Sequence, residues 1–305
     1  MGPPGAWSYD REMSKSRPRA ALAKTVLITG ASSGIGWATA QQLMAAGHRV
    51  FGTGRAQALV GPPGVSMRTL DVEDEATVQT CVDSILAEAG RLDVLVNNVG
   101  RLVYGPVEEV PLPVAQRLFE VNFWGTARMV NAALPHLRAQ RDGQVIVVGS
   151  VASAVTVPFN GFYAASKAAL ARYTEALRHE TKHLGVRVTL VEPADVATSL
   201  WQKAETIAPR LPVYASMSVH IQAAVNTLRS DAMPAEAVGR LIAGLVDEPD
   251  PAPVLRVGAL TRRMPWLRVL VPARAFERGM RRRFGLDRIS SPADPGSEGE
   301  RSDSR

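Results

Sequence analysis

Short apolar runs alternate with longer amphipathic stretches through most of the chain. The runs that we predict as buried strands cover residues 25–29, 48–53, 65–70, 92–96, 145–148 and 186–191. The stretches with helical periodicity cover residues 35–46, 73–89 and 113–138 and a segment that ends near residue 184. Strands that are apolar throughout and alternate with helices typically form a parallel sheet covered on both faces. The pattern therefore predicts an α/β fold with a doubly wound parallel sheet.

Further elements follow the sixth strand. We predict a helix over residues 234–246 and an edge strand over residues 253–257, so one domain extends from residue 24 to about residue 260. The segment of residues 192–233 is rich in large apolar side chains. Because ligands of such sheets bind beyond the carboxyl ends of the strands, this segment can cover a hydrophobic substrate. The sequence equally allows a pair of helices that packs on the core.

The two ends of the chain differ from this domain. Residues 1–23 carry scattered charges and no apolar run, so we predict a disordered leader rather than a secretory signal. Residues 261–289 form a basic amphipathic extension, interpreted as two short helices that begin near Pro265 and Pro272. Residues 290–305 are polar and predict a disordered tail.

The extension combines an apolar stripe with a strong positive charge. Its apolar side chains recur at helical spacing and are Trp266, Val269, Leu270, Ala273, Phe276, Met280 and Phe284. Between Arg256 and Arg288 there are ten arginines against two acidic residues. We expect the stripe to pack on the domain or on a partner subunit. Peripheral contact of residues 264–284 with an anionic membrane surface is the second interpretation.

Composition excludes several classes of protein. With 305 residues, 46% of them hydrophobic, the chain can bury a large core. Cys81 is its single cysteine, so an internal disulfide is impossible. The cysteine content is compatible with a reducing compartment. No apolar run reaches the ~18 residues of a spanning helix, so we expect a cytoplasmic protein. The net charge of +6 arises largely in the extension, where no nucleic-acid motif accompanies the arginines, so no nucleic-acid partner is expected.

A glycine-rich turn follows the first strand and precedes a helix. Its glycines are Gly30, Gly34 and Gly36. Without side chains, such a turn lets backbone N–H groups approach a phosphate, which the positive helix N-terminus also attracts. At the start of the first strand–helix unit, nucleotide binding is favoured over an ordinary tight turn. The fold is thus predicted to be Rossmann-like, a single domain with a C-terminal helical extension.

The end of the second strand indicates which dinucleotide is bound. An acidic residue at this place commonly holds the ribose 2′-hydroxyl of NAD, whereas an arginine suits the 2′-phosphate of NADP. The chain has Arg55 there, and no acidic residue occurs between Gly47 and Gly64. We therefore expect NADP rather than NAD. The alternative is that Arg55 is a solvated loop charge.

Three side chains near the fifth strand can move a proton. Ser150 ends that strand, and Tyr163 and Lys167 lie four residues apart on the next helix, where both share a face. Taken alone, such a pair is more often a solvated helix face. Asn122 lies within a predicted helix, where asparagine is unfavourable, so it is either a satisfied core amide or an amide of the cleft.

Together these pieces resemble the short-chain dehydrogenases/reductases. The matching pieces occur in that family's order and spacing across residues 24–200 and are Thr29 to Gly36, Asp71, Asn97 to Gly100, Asn122, Ser150, Tyr163 to Lys167, Pro193 and Thr198. The bulky apolar segment and the extension are similar to the steroid- and retinol-dehydrogenase-like branch. Val99 and Ala194 depart from the family pattern, which usually has Ala and Gly there. Val99 adds bulk beside the cofactor, Ala194 removes some backbone freedom, and neither deletes a chemical group.

The resemblance implies an oxidoreductase that transfers a hydride between NADP(H) and a carbonyl or alcohol, here of a lipophilic substrate. Tyr163 would be the acid/base, and Lys167 would hold the nicotinamide ribose and help to lower the pKa of the phenol. Ser150 would orient the substrate oxygen, and Asn122 would support a water relay. The residues expected to bind the cofactor are Gly30, Ser32, Ser33, Gly34, Ile35, Gly36, Arg55, Asp71, Val72, Asn98, Tyr163, Lys167, Pro193, Val196 and Thr198.

Several further expectations accompany this assignment. The loop of residues 151–161 should lie over the substrate, with Val155, Val157 and Phe159 as walls. The resemblance implies a homo-oligomer built through the helices of Asn122 and Tyr163. We assign no metal site. The competing function is a cofactor-binding sensor or scaffold on the same fold without turnover, which would be free to lose the complete set of catalytic residues.

Overall fold

The computed structural model describes residues 23–55 and 60–289. Apart from Ala23, the predicted leader lies outside these ranges, as does the predicted tail of residues 290–305. The strands of the main sheet are β1 (Thr25–Ile28), β2 (Arg49–Gly54), β3 (Ser66–Thr69), β4 (Val94–Asn97), β5 (Gly143–Val148), β6 (Val186–Pro193) and β7 (Val254–Val257). Each predicted strand, including the edge strand, is present within a few residues of its expected bounds.

The seven strands of this sheet are ordered β7-β6-β5-β4-β1-β2-β3, and every neighbouring pair is parallel. The strand order reverses between β4 and β1. Loops diverge to opposite faces at such a reversal and leave a crevice beyond the carboxyl ends of the strands. The doubly wound, Rossmann-like sheet predicted from the sequence is confirmed.

Helices cover both faces of the sheet. They are α1 (Gly34–Ala45), α2 (Glu75–Ala89), α3 (Leu112–Phe119), α4 (Gly125–Gln140), α5 (Gly161–Thr181), α6 (Pro212–Ser230), α7 (Ala235–Asp247), α8 (Ala259–Leu270) and α9 (Ala273–Arg283). Alternate side chains of one strand enter different clusters: Val94 and Val96 of β4 pack with α1 and α7, whereas Leu95 packs with α2, α4 and α5. This two-sided burial is the physical reason for strands without polar alternation.

The helix predicted over residues 113–138 is interrupted at its centre. A π-helical turn (Glu120–Trp124) joins α3 to α4 and carries Asn122. Such turns release the regular backbone ladder and commonly mark functional sites. At the following Gly125 an added Cβ would lie 2.7 Å from the side chain of Val72, so the chain approaches the loop after β3 closely here.

Short elements complete the connections. Two pairs of two-residue parallel strands are present, Val103–Tyr104 with Glu205–Thr206 and Val196–Ala197 with Met233–Pro234. Single 3-10 turns cover Val151–Ser153, Lys182–Leu184 and Leu286–Arg288. The apolar segment before residue 233 forms one long helix, α6, rather than the pair of helices that the sequence also allowed.

The C-terminal extension contains the two expected helices, but the first begins earlier than predicted. Gly258, with φ of 111°, turns the chain from β7 directly into α8, so Pro265 lies inside that helix and does not begin it. The prediction for Pro265 was therefore wrong. The prediction for Pro272 is confirmed, because this residue immediately precedes α9.

The apolar stripe of the extension is not buried along its whole length. Met280 and Phe284 pack with α6, and Phe284 is 1% exposed. Trp266, Val269 and Leu270 of α8 remain 65%, 79% and 75% exposed. Packing on the domain thus accounts for the α9 end of the stripe alone. Among the described residues, no helix is both long and apolar enough to cross a bilayer.

Candidate active site

The main cleft lies at the carboxyl ends of the strands, where the strand order reverses. It is lined by every cofactor or catalytic residue predicted from the sequence except Gly36 and Asn122. Residues that are far apart in the chain, such as Arg55 after β2 and Tyr163 on α5, therefore share one cleft. The cleft has a nucleotide half beside α1 and β2 and a substrate half beside β5, α5 and α6.

Tyr163 and Ser150 meet where these two halves join. The Ser150 side chain lies close enough to the Tyr163 hydroxyl to oppose the rise of its pKa. The Ser150 Oγ also accepts a hydrogen bond of 3.1 Å from the N–H of Ala152, which fixes the start of the following loop. Both hydroxyls therefore point to one place in the cleft, where a substrate oxygen can contact both of them.

Lys167 lies one helical turn beyond Tyr163 and is 4% exposed. Its Nζ donates to the carbonyl oxygen of Val148 at 3.0 Å and lies 5.9 Å from the centre of the Tyr163 ring. The carbonyl at the end of β5 thus holds the ammonium beside the phenol. The solvated-helix alternative for this pair is excluded, because both side chains are buried.

Burial shifts the pKa of both groups away from their usual values. It raises the pKa of Tyr163 to about 12; the charge of Asp195 acts in the same direction and the Ser150 side chain opposes it. Burial also lowers the pKa of Lys167 to about 8. The expected lowering of the phenol pKa is therefore wrong for the protein by itself, because desolvation of the phenolate outweighs the opposing effect of Ser150.

Asn122 lies behind the cleft and is fully buried. Its Oδ1 accepts from the N–H of Arg101 at 2.7 Å, and its Nδ2 donates to the Arg101 carbonyl at 3.1 Å and to Ser166 Oγ at 3.0 Å. The amide is satisfied, as the core alternative predicted. It also lies next to the active centre, because a Cβ at Gly100 would be 3.5 Å from Asn122 Oδ1 and 3.6 Å from Lys167 Nζ.

The nucleotide half of the cleft fits a dinucleotide phosphate. Gly30 and Gly34 have φ of 70° and 57°, a region that glycine adopts without strain. The first turn of α1 contains no acidic residue, and the side chain of Ser33 does not cap it, so its N–H groups can bind an anion. A Cβ at Gly36 would collide with the Gly30 carbonyl oxygen. Gly36 therefore allows close packing of the turn, although it does not line the cleft.

Asn98 and Thr198 hold this turn from two sides. Asn98 Nδ2 donates to the carbonyl oxygens of Thr29 and Gly30 at 3.0 and 3.1 Å. The methyl group of Thr198 lies 3.0 Å from where a Cβ would be at Gly34. The loop after β6 thus closes against the start of α1, and the expected cofactor residues of the two loops form one continuous surface.

The far end of the nucleotide half carries charge. Arg55 follows β2 with an exposed side chain, and Asp71 and Val72 follow β3. The Asp71 Oδ1 accepts from the N–H of Glu73 at 3.0 Å, so this carboxylate also shapes its own turn. The exposed side chain of Arg55 can therefore contact an anionic group at the rim of the cleft.

The substrate half has apolar walls. We call residues 151–160, between β5 and α5, the cleft loop. Val155 and Val157 of this loop line the cleft as predicted, and Leu200 and Trp201 line it from the segment after β6. Phe159 does not line it, so that prediction was wrong. Its φ of 65° turns the ring away to pack with Tyr104 and Tyr214, with ring centres 6.0 and 6.3 Å apart.

Other residues of the cleft had no predicted role. Val225 and Leu228 extend the apolar wall from α6, and their spacing of three residues on a helix was the available signal. Asp195 lies two residues beyond β6 and lines the cleft near Tyr163. A lone acidic residue in a loop gives no sequence signal of its own.

Comparison with known proteins identifies the family. The sequence profile described as short chain dehydrogenase matches residues 24–208. The chain belongs to the short chain dehydrogenases. The resemblance inferred from the motifs is thereby confirmed.

Characterised relatives of this short chain dehydrogenase include reductases and a retinol dehydrogenase. A 3-ketodihydrosphingosine reductase of Bacteroides thetaiotaomicron is 40% identical over 174 residues, 57% of this chain and 64% of the relative. Human retinol dehydrogenase 8 is 37% identical over 192 residues, 59% of this chain and 61% of the relative. The NADPH-dependent 3-dehydrocapnine reductase of Ornithobacterium rhinotracheale is 32% identical over 226 residues, with 70% and 80% covered. The chain spans less than two thirds of the length of the first two relatives.

Solved structures have the same architecture. A crystal structure of a short-chain dehydrogenase from Streptomyces avermitilis superimposes with a TM-score of 0.73 at 28% identity, covering 88% of this chain and 99% of that one. A short chain dehydrogenase from Burkholderia cenocepacia in complex with NADP gives a TM-score of 0.67 at 24% identity, with 85% and 97% covered. The second likeness supports the fold alone.

Proposed function

We propose that this protein is an NADP(H)-dependent oxidoreductase that interconverts a carbonyl and a hydroxyl group of a lipophilic substrate, with Tyr163 as the acid/base. The proximity of the Tyr163 and Ser150 side chains in the cleft carries the proposal. They lie where an apolar pocket meets a cradle suited to a dinucleotide. Two hydroxyls at that junction can bind and protonate one substrate oxygen.

Each residue of the centre has a distinct task. A bound nicotinamide supplies or accepts the hydride. Ser150 donates a hydrogen bond to the substrate oxygen as negative charge develops there. Tyr163 gives its proton to that oxygen in reduction and takes it back in oxidation. Lys167, fixed by the Val148 carbonyl, holds positive charge beside the phenol and favours its deprotonated form.

The preference for NADP rests on charge at the rim of the nucleotide half. Arg55 follows β2, where the second ribose of a bound dinucleotide is expected, and its exposed guanidinium can bind a 2′-phosphate. The loops that face this place also carry Asp71 and Glu73 after β3. The relative from Ornithobacterium rhinotracheale is named as NADPH-dependent, which is consistent with this preference.

A lipophilic substrate is supported by the walls of the substrate half. Apolar side chains reach it from the cleft loop, from the segment after β6 and from α6, and these are Val155, Val157, Leu200, Trp201, Val225 and Leu228. Burying a hydrocarbon chain against such walls contributes about 0.8 kcal/mol for each methylene group. The relatives named for 3-ketodihydrosphingosine and retinol agree with a substrate of this kind.

The test is turnover of lipophilic ketones, aldehydes and secondary alcohols, followed by NADPH absorbance. We expect the full-length protein to convert at least one compound, and the Tyr163→Phe variant to lose turnover at least ~100-fold while binding NADPH nearly as well. Retained turnover in that variant would remove Tyr163 from its role. NADPH binding without turnover across the whole panel would instead support the sensor or scaffold function.

We also propose that the protein forms a homo-oligomer through α4 and α5. Trp124, the last residue of the π-helical turn before α4, is 50% exposed; the half-buried ring of Phe123 packs against it, and that of Tyr173 packs against Phe123. These rings give the two helices an aromatic face of the kind that is enriched in interfaces. Light scattering should show an oligomer that Trp124→Glu converts to a monomer.

We further propose that α8 contacts an anionic membrane surface. Its side chains Trp266, Val269 and Leu270 are largely exposed, and Arg263 and Arg274 add exposed positive charge. Apolar side chains bordered by arginines suit the interface of a bilayer with anionic head groups. A lipophilic substrate could then reach the neighbouring cleft from the bilayer.

A further inference from the structure

The substrate half of the cleft contains a carboxylate that the proposed chemistry does not use. Asp195 lines the cleft; burial is the main cause of the raised pKa of the Tyr163 phenol, and the negative charge of Asp195 adds a smaller effect in the same direction. The remaining acidic residues of the lining, Asp71 and Glu73, follow β3 in the nucleotide half. Asp195 is therefore the acidic group of the cleft that faces the reacting centre.

Among the residues that the structure describes, this carboxylate has no close ion pair. Asp195 is hydrogen-bonded with the Trp201 side chain and feels the charge of Arg229. Within 4 Å, however, no Lys or Arg of the described residues pairs with it. Arg229 is exposed and stacks over the Trp201 ring at 5.6 Å, so solvent screens its charge. Burial, the largest cause, accordingly raises the pKa of Asp195.

Such a charge is unfavourable for the reaction of a neutral substrate. It raises the pKa of the phenol, so the phenol is a weaker proton donor and its deprotonated form is harder to reach. A cationic group on the substrate would cancel this effect while forming a charge-assisted hydrogen bond in a cleft with apolar walls. The negative charge of Asp195 is therefore favourable when the substrate is a cation.

We infer that Asp195 binds an ammonium group of the substrate close to its reacting carbon, so that the substrate class is a lipophilic amino ketone or the corresponding amino alcohol. The inference rests on the proposed function, because it assigns the substrate of the same site. The apolar walls hold the hydrocarbon chain, Ser150 and Tyr163 meet the oxygen, and Asp195 meets the nitrogen. Lys203, an exposed cation of the lining, lies at the solvent side.

The test compares a long-chain 2-amino-3-ketone with the 3-ketone of equal length that lacks the amine, each with NADPH. We expect the full-length wild-type protein to prefer the amino ketone. Asp195→Asn keeps the shape and an acceptor for Trp201, and it should lower kcat/KM for the amino ketone about 10- to 100-fold. For the plain ketone the same variant should not lower kcat/KM, because removing the negative charge lowers the pKa of the phenol.

Two outcomes overturn the inference: an equal loss on both ketones, which indicates a positioning role for Asp195, or a wild-type preference for the plain ketone. If neither ketone is reduced, the proposed function fails, but the cation site can still be tested. Calorimetry then compares the binding of octylammonium with that of octanol. Wild-type protein that binds octylammonium more tightly than octanol, with the difference lost in Asp195→Asn, supports the cation site. Equal binding of the two compounds contradicts it.

Discussion

Arg268 of α8 donates a hydrogen bond of 2.7 Å from Nη1 to the carbonyl oxygen of Ala154 in the cleft loop. This contact joins the C-terminal extension to the wall of the active centre. Ala154 is flanked by Val155, which lines the cleft, and by Ser153, whose hydroxyl is hydrogen-bonded with the buried carboxylate of Glu192. The cleft loop is therefore fixed from the sheet on one side and from the extension on the other.

Loss of the Arg268 contact should weaken substrate binding. A hydrogen bond of this kind is worth roughly 1 kcal/mol, so Arg268→Ala is expected to raise KM for the lipophilic substrate about fivefold. The kcat and the thermal midpoint should change little, because the catalytic groups are not touched. Steady-state kinetics measures this, with Arg263→Ala on the same helix as the control. A similar KM change in both variants would contradict a specific contact.

The burial of Lys167 predicts an unusual dependence of stability on pH. Its pKa is 10.5 for the free side chain and about 8 in the folded protein. Between these values the unfolded chain binds the proton and the folded one does not, so this group stabilises the fold as pH rises from 8 to 10.5. At neutral pH it destabilises the fold by about 3 kcal/mol relative to that limit.

Urea unfolding of the wild type and Lys167→Met at several pH values measures this effect. We expect the difference in unfolding free energy to move by about 3 kcal/mol in favour of the wild type between pH 8 and pH 10.5. The variant also leaves the Val148 carbonyl without its donor, but that cost does not depend on pH. A constant difference over the whole range would show that Lys167 titrates normally.

Arg55 should decide between the two dinucleotides. Removing a charge-assisted contact with the 2′-phosphate is expected to raise KM for NADPH about 10- to 100-fold in Arg55→Ala, with little change for NADH. Initial rates with both cofactors provide the measurement. Arg49, at the other end of β2 and paired with Glu88 at 2.8 Å, supplies the control substitution Arg49→Ala. Equal changes for NADPH and NADH would make Arg55 a solvated loop charge.

Membrane contact through α8 can be tested by sedimentation with vesicles. Full-length protein should sediment with vesicles that contain phosphatidylserine, and less so in high salt because the arginines contribute. Changing Trp266, Val269 and Leu270 together to serine should reduce the bound fraction at least tenfold.

Leu112→Ser is the control for this experiment, since Leu112 is 68% exposed on α3 and is not part of the extension. Wild-type protein that remains in the supernatant with anionic vesicles would rule out the membrane contact. Binding that is equal in the triple variant and the wild type would rule out α8 as the contacting element.

Much of the fold could be predicted because its signals are local. Continuous apolar strands such as β4 predicted the parallel sheet, and the glycines before α1 predicted the nucleotide half of the cleft. The π-helical turn at Asn122 was missed, because whether a helix widens depends on neighbours such as Val72 that are remote in sequence. The start of α8 was missed for a related reason, since the strongest local signal, Pro265, lies inside a helix whose beginning is set by Gly258.

The residues of the candidate site were likewise predicted where their signals are local and missed where they are not. Tyr163 and Lys167 share a helix face, so their spacing was informative, and Ser150 was marked by the end of its strand. Phe159 was misassigned because its direction depends on a left-handed backbone and on rings from other segments. Asp195 had no assigned role, because only the fold shows that its loop passes beside the phenol.

The match to the family ends at residue 208, and this boundary separates two parts of the cleft. Ser150, Tyr163 and Lys167 come before it. Val225 and Leu228 of α6 and Arg268 of α8 come after it, and they form or brace the wall against which a substrate packs. Substitutions in the last third of the chain can therefore change which molecule fits without altering Ser150, Tyr163 or Lys167. Selectivity in this protein can evolve independently of its chemistry.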